Sequence, residues 1–317
     1  MDRARFAEAR EFLAGQLPET RLITARSLAK NPQHKVYLKL ENELPTGSFK
    51  VRGALYALHV NMLRRPVAEV IASSTGNHGA AVAYAAKLLG VKARIFLPER
   101  CNPVKRGNIE RLGAAIVEKG AIDLAAAFEA ALQYANESGA FFLNDVDDPD
   151  LPAGPGTIAL EILQNAPEVE AIYVPMGDTA LIRGVAEAAK QISGKVRIVG
   201  VQSERAPAYA LSFKAGYAVA TDSCDTIADG LATRTPNKAN VEAIRRLVDD
   251  IVLVSEAEMI GAIRRLAFDE EVIAEPAGAA ATAAHLQAKD EEMSGDVALL
   301  VTGGNVSRDV LQAAIAS

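Results

Sequence analysis

The chain predicts an α/β protein whose sheets are mostly parallel and covered by helices, and two patterns carry that prediction. Short β-rich runs alternate with alanine-rich segments of helical spacing from one end to the other. Parallel strands need such crossovers, because a tight hairpin cannot join them. Several of the runs are apolar continuously rather than at every second residue, as strands buried on both faces are.

In chain order the strand-like runs are VYLKLE (36–41), EVIASS (69–74), ARIFLP (93–98), AAIVEKG (114–120), AIYVPMG (171–177), RIVGVQ (197–202), DIVLVSE (250–256) and VALLVTGGN (297–305). They are rich in Val and Ile, as strands are. The segments HGAAVAYAAKLLG, LAAAFEAALQYANESG, ALIRGVAEAAKQISG and AGAAATAAHLQAK lie between them and read as helices. NDVDDPDLPAGPG (144–156) is rich in Pro, Gly and Asp and reads as a linker, the candidate domain crossing. No internal repeat, low-complexity tract or charge block interrupts the pattern.

Composition narrows the partners. A chain of 317 residues that is 50 % hydrophobic can bury a full core and is long enough for two compact units. A net charge of −6, with no clustered basic face, argues against nucleic acid and for a small ligand. Cys101 and Cys224 form neither a disulfide framework nor a zinc spacing, which points to a reducing compartment. The opening MDRARFAEAREFLAG has no apolar run of the signal-peptide or membrane-spanning kind, so a cytoplasmic protein is expected.

Ligands of parallel sheets bind beyond the carboxyl ends of strands, so the turns that follow strands are where chemistry belongs. After EVIASS, the residues Ser74, Thr75, Gly76, Asn77 and His78 open a helix whose first amides can hold an anion. After AIYVPM, the residues Gly177, Asp178, Thr179, Ala180 and Leu181 do the same. VALLV ends in Thr302 and two glycines that allow close approach. Asp229 and Gly230 lie in the loop TIADGLAT. In ENELPTGSFKVRGA (41–54), Lys50 stands behind a Pro-Thr-Gly-Ser turn and directly after Phe49. Each alone is an ordinary capped turn or a solvated lysine; together they need one explanation.

With PTGSFK at 45–50, STGNHG at 74–79, IADG at 227–230, EPAGA at 275–279 and TGGN at 302–305, in that order, the chain resembles the pyridoxal-phosphate-dependent serine/threonine dehydratase and serine racemase family. That resemblance implies a tryptophan synthase β-like fold (fold type II) of two open, twisted, mostly parallel sheets with flanking helices. It implies a large domain of residues 1–44 plus 150–317, a small domain of 45–149 inserted into it, and a homodimer.

The resemblance also assigns roles. Lys50 is the Schiff-base lysine for pyridoxal 5'-phosphate and, once freed, the base that takes the substrate α-proton. A neutral amine is needed, and burial beside Phe49 is expected to lower its pKa. Asn77 is expected to hydrogen-bond the ring hydroxyl oxygen. The turn from Ser74 through Thr75, Gly76 and Asn77 to His78 is expected to receive the substrate carboxylate. Gly177, Asp178, Thr179, Ala180 and Leu181 are expected to cradle the phosphate, and Thr302 to meet the pyridine nitrogen. Asp229 and Glu275 are weaker candidates, since each is equally a helix cap or a loop brace.

Three departures from the family pattern carry expectations. The usual run of four glycines reads Gly177, Asp178, Thr179, Ala180, and a carboxylate repels phosphate, so Asp178 is expected to turn its side chain away and offer only its amide. Gln202 and Ala208 fall where animal-type serine racemases have a Glu and an Asp that help bind a divalent cation, so no metal is expected there. Only a dozen residues follow TGGN, so the regulatory domain of biosynthetic threonine dehydratases is not expected.

The expected activity is an ammonia-lyase reaction on a β-hydroxy amino acid, L-threonine or L-serine, giving a 2-oxo acid and ammonia. Racemisation ranks second, because Thr75 stands where racemases carry a serine hydroxyl and its methyl restricts the rotamer. A lyase for 3-hydroxyaspartate or a hydroxyectoine-pathway intermediate stays open. A non-catalytic pyridoxal-phosphate carrier is more remote, and a dinucleotide-binding module lacks its G-x-G-x-x-G.

Overall fold

A computed structural model of the chain describes residues 3–74, 76–99, 103–118, 120–121, 124–288 and 295–316. The strands in order are β1 (Leu22–Thr24), β2 (Val36–Leu40), β3 (Glu69–Ser73), β4 (Lys92–Phe96), β5 (Ala115–Val117), β6 (Phe141–Phe142), β7 (Val169–Pro175), β8 (Arg197–Ser203), β9 (Asp250–Val254) and β10 (Asp296–Val301). The helices are α1 (Arg3–Ala14), α2 (Lys50–Arg64), α3 (Asn77–Leu89), α4 (Pro103–Arg111), α5 (Leu124–Ser138), α6 (Ala153–Asn165), α7 (Ala180–Ile192), α8 (Ala208–Ala215), α9 (Lys238–Leu247), α10 (Glu256–Asp269), α11 (Pro276–Gln287) and α12 (Arg308–Ala316).

Two sheets result. The larger runs β1-β2-β10-β7-β8-β9, and the smaller runs β5-β4-β3-β6. Every pairing is parallel except β1 with β2. The mostly parallel α/β expectation is borne out, and the antiparallel edge strand is an addition to it. Helices cover both faces of the large sheet: α6, α7 and α9 pack on one core, α10 and α11 on another. The small sheet lies between α2 with α3 and, on its other side, α5.

The central strands show why continuous apolar runs predicted burial on both faces. All five residues of β2 are buried, Lys39 among them. Its ammonium is tolerated because it pairs with Glu161 at 2.5 Å and donates to the Thr20 carbonyl at 2.7 Å.

NDVDDPDLPAGPG is only partly a linker. Its last four residues are the first turn of α6 and are buried. A Cβ at Gly154 would come within 2.4 Å of the Arg52 carbonyl oxygen, and one at Gly156 within 2.2 Å of the Phe6 ring. The glycines therefore serve close helix packing rather than flexibility, a use that composition alone does not separate from a loop. Because the Gly154 contact is with backbone, Gly154→Ala is expected to push α6 off α2 at a cost of roughly 1–3 kcal/mol or more, read by denaturant unfolding.

Candidate active site

The carboxyl ends of both sheets converge. From the large sheet come the turns after β2, β7 and β10; from the small sheet come those after β3 and β6. The turn before Lys50 is tied to the one after β10. Gly47, at a φ of 70°, reverses the chain. Its carbonyl accepts from the Gly304 amide at 2.9 Å, and the Phe49 amide donates to the Thr302 carbonyl at 3.0 Å. Ser48 pairs with Gly303 as an isolated antiparallel bridge. These bonds explain the Pro-Thr-Gly-Ser spacing, since they place Lys50 as the first residue of α2 with its side chain turned inward and only 15 % exposed.

Carboxylates surround that amine. Lys50 Nζ lies 2.5 Å from Asp145 Oδ2, in the turn after β6. Burial pushes the Lys50 pKa down, but the fields of Asp145, Asp178 and Glu275 outweigh it and hold the pKa above its ordinary value. The expectation that burial beside Phe49 would lower it is therefore corrected. Phe49 is present, with Nζ 5.7 Å from its ring centroid, but three acids from distant loops decide the direction. Asp145 is pulled in the opposite sense: burial raises its pKa, and His78 and Lys50 lower it well below the usual carboxylate range.

Asp178 is drawn inward. Its Oδ1 accepts from Thr233 Oγ1 at 3.1 Å, and the carboxyl lies in the field of Asp145 and Lys50. Burial and Asp145 push its pKa up to about 6. A folded-state pKa above the unfolded value means that the folded protein holds this proton more tightly, so the associated stability is present at low pH and lost as pH rises through about 4 to 6. Asp178→Asn in the cofactor-free protein is therefore expected to be near-neutral for unfolding at about pH 4 and stabilising, on the order of 1–3 kcal/mol, at about pH 8. Equal effects at both pH values would contradict this.

The loop around Asp178 keeps the shape that glycines would give it. Thr179, buried, sits at a φ of 72°, a left-handed conformation that costs a β-branched residue about 1–3 kcal/mol. Gly177 packs on the backbone after Ala228, since a Cβ there would meet the Gly230 carbonyl oxygen at 2.1 Å. Amides in such a turn, continued by the first turn of α7, form an anion nest. Arg183, one helical turn further, donates from Nε to Thr179 Oγ1 at 3.2 Å.

Asn77 opens α3 and is held from two sides. Its Nδ2 donates to Glu275 Oε1 at 2.6 Å, and its Oδ1 accepts from Asn305 Nδ2 at 2.7 Å. Gly303 lies against that pair; a Cβ there would meet Glu275 Oε1 at 2.2 Å. His78 is buried, with Nε2 2.9 Å from the Leu143 carbonyl oxygen and Nδ1 3.8 Å from Asp145 Oδ2. Ser74 Oγ accepts from the Gly76 amide at 3.3 Å. Thr302 is buried, and its hydroxyl donates to the Ala277 carbonyl over a long 3.4 Å.

Lys50, Phe49, Asn77, His78, Ser74, Gly76, Thr302, Glu275 and the loop from Gly177 to Leu181 thus gather at the converging strand ends. Thr75 lies outside the described residues, as does Cys101. Asp229 stands exposed on a 3₁₀ turn, and the Gly230 carbonyl oxygen of the same motif packs against Gly177. Gln202 is buried in β8 with Oε1 accepting from the Ala210 amide at 2.8 Å. Sequence reasoning missed Asp145, Arg183, Thr233 and Asn305. The signal for Asp145 was its place after a strand end, hidden because Phe141–Phe142 is too short to read as a strand. A buried amine, a glycine ledge beside a braced amide, and an anion nest fit a flat, phosphorylated carbonyl compound.

A family model described as pyridoxal-phosphate dependent enzyme matches residues 14–303. The chain is 36 % identical to the L-threonine ammonia-lyase of Thermotoga maritima over 305 residues, 96 % of this chain and 75 % of that protein. A crystal structure of a T.th. threonine deaminase superimposes with a TM-score of 0.89 at 33 % identity, covering 96 % of this chain and 98 % of that one. Maize serine racemase superimposes with a TM-score of 0.90 at 30 % identity, covering 99 % and 97 %. Agreement on this scale, in sequence and in three dimensions and over nearly the full length, makes the chain a member of the pyridoxal-phosphate dependent enzymes.

Proposed function

We propose that this enzyme is an ammonia-lyase that acts on a β-hydroxy amino acid, L-threonine or L-serine, and yields a 2-oxo acid and ammonia. The observation that carries this is Lys50, a buried amine fixed at the start of α2 by the interlocked turns after β2 and β10. The likeness to the L-threonine ammonia-lyase of Thermotoga maritima supports the substrate class.

Pyridoxal phosphate, when bound, supplies an electron sink for the substrate α-carbon. Lys50 would carry it, the amides from Gly177 to Leu181 would hold its phosphate, and Asn77 would hold its ring oxygen, braced by Glu275 and Asn305. The amides from Ser74 to His78 would receive the substrate carboxylate. Lys50 Nζ takes the proton from the α-carbon. Thr302 would face the ring nitrogen with a hydroxyl, which is too weak an acid to give that nitrogen a full proton, and this moderates the sink in favour of elimination. Burial and Asp145 push the Asp178 pKa up to about 6, so protonation below that pH would lessen its repulsion of a phosphate dianion. Racemisation is the second reading, favoured by the likeness to maize serine racemase, with Thr75 as the acid on the opposite face.

The segregation of β3 to β6 into their own sheet supports a small domain of residues 45–149 set into a large one of 1–44 plus 150–317, with the cofactor in the cleft. A cytoplasmic homodimer completes the proposal; no helix among the described residues is long and apolar enough to cross a membrane. The test is a panel of β-hydroxy amino acids, 3-hydroxyaspartate included, with 2-oxo acid, ammonia and stereochemistry followed together. Equal amounts of 2-oxo acid and ammonia are expected. D-enantiomer formed faster than ammonia would overturn the ranking.

A further inference from the structure

Two groups bear on the Lys50 amine, one by direct contact and one through the field between them. One is the Asp145 carboxylate, at 2.5 Å from Nζ. The other is His78 Nδ1. The Leu143 carbonyl can only accept, so the Nε2 atom 2.9 Å from it must carry the imidazole proton. Burial, the largest influence, holds this ring's pKa below its ordinary value. Nδ1 is 96 % buried by the residue's 4 % exposure, has no hydrogen-bond partner among the described residues, and lies 3.8 Å from Asp145 Oδ2. The Asp145 carboxylate takes its donor from the Lys50 ammonium.

The wider field has the same sense. Asp178, from the turn after β7, and Glu275, at the start of α11, both favour the ammonium form of Lys50. Arg183 on α7 faces Asp178, and Asp148 acts on His78. None of these approaches Nζ as Asp145 does, and none of the family motifs in this chain contains Asp145.

We infer that Asp145 is a positioning residue for Lys50: it docks the ammonium form of that side chain and so makes Lys50 a stronger acceptor of the substrate α-proton. The inference rests on the role of Lys50 as base proposed above. In the step concerned the Cα–H bond breaks, its electron pair stays with carbon, and an N–H bond forms at Nζ. The positive charge thus appears beside an existing carboxylate, which stabilises it. A base strengthens with the stability of its protonated form, so the dock favours proton abstraction. The same dock makes the free amine scarcer, and activity is displaced toward higher pH.

The test is Asp145→Asn in the full chain, read in two ways. In cofactor-free protein, the rate of Lys50 modification by a small amine-selective reagent is followed over a pH series by peptide mass spectrometry. Loss of a carboxylate at this distance is expected to lower the midpoint by about one pH unit or more, so modification near neutrality rises about tenfold or more. In the cofactor-loaded enzyme, the acid limb of the kcat/KM profile is expected to shift the same way while maximal kcat falls about tenfold or more. Asp145→Ser repeats both readings should the amide variant not fold. An unchanged modification curve in a folded variant overturns the inference. If the curve shifts but the parent releases no ammonia from any amino acid, the dock stands and the lyase assignment fails.

Discussion

Lys50→Ala is expected to give a folded, colourless protein that releases no measurable ammonia from any β-hydroxy amino acid. Loss of a positioned base alone costs on the order of 10²- to 10⁴-fold. Loss of the covalent attachment point removes a second contribution, so the combined effect should exceed either. Folding should survive for local reasons. The bonds that shape the turn, from Phe49 to Thr302 and from Gly304 to Gly47, are made by backbone and do not involve the lysine side chain. The acids left without their cation have outlets: Asp145 is 18 % exposed, and burial already raises the Asp178 pKa, which loss of the lysine's lowering field raises further toward the neutral form. Absorbance, circular dichroism and coupled ammonia assays check the three parts separately. Normal turnover by this variant would remove Lys50 from the mechanism.

The second large effect is on stability and lies one helical step deeper. Arg52, 3 % exposed, reaches Glu41 through Nε at 2.7 Å and Nη2 at 2.9 Å, and Glu161 through Nη1 at 2.5 Å and Nη2 at 2.9 Å. It also donates to Thr157 Oγ1 at 2.9 Å. Lys39 closes the set on Glu161, so two cations meet two carboxylates away from water. The network joins β2, α2 and α6, the elements that aim Lys50. Arg52→Met should therefore cost about 3–5 kcal/mol, because it strands a buried negative charge rather than merely deleting a bond. Adding Glu161→Gln restores neutrality and should recover part of the loss, a non-additivity that denaturant unfolding of the single and double variants would reveal. A loss under about 1 kcal/mol for Arg52→Met would show the charges to be hydrated and not interdependent.

Sequence and structure agree wherever a local pattern sufficed. β7, β8 and β10 were legible because their apolar residues run on without alternation, which only strands buried on both faces do. The turns after them were legible because ligands of parallel sheets collect there. β1 and β6 were not, since three and two residues carry no period. Asp145 was hidden inside a stretch whose Pro, Gly and Asp content resembles a linker, and its meeting with Lys50 spans 95 positions that no local pattern encodes. The direction of the Lys50 pKa went astray for the same reason: Phe49 is a neighbour in sequence, whereas Asp145, Asp178 and Glu275 are neighbours only after folding. The Asp-Gly turn lies beside the loop that follows β7, with the Gly230 carbonyl oxygen against Gly177.

The central claim is that one lysine, Lys50, carries pyridoxal phosphate. Borohydride reduction of the cofactor-loaded protein, followed by proteolysis and mass spectrometry, tests it directly. The expected result is a single peptide, covering the sequence PTGSFKVR, whose mass is increased by the reduced cofactor at Lys50. Attachment at another lysine, or a parent protein that binds the cofactor without becoming labelled at all, would contradict the account.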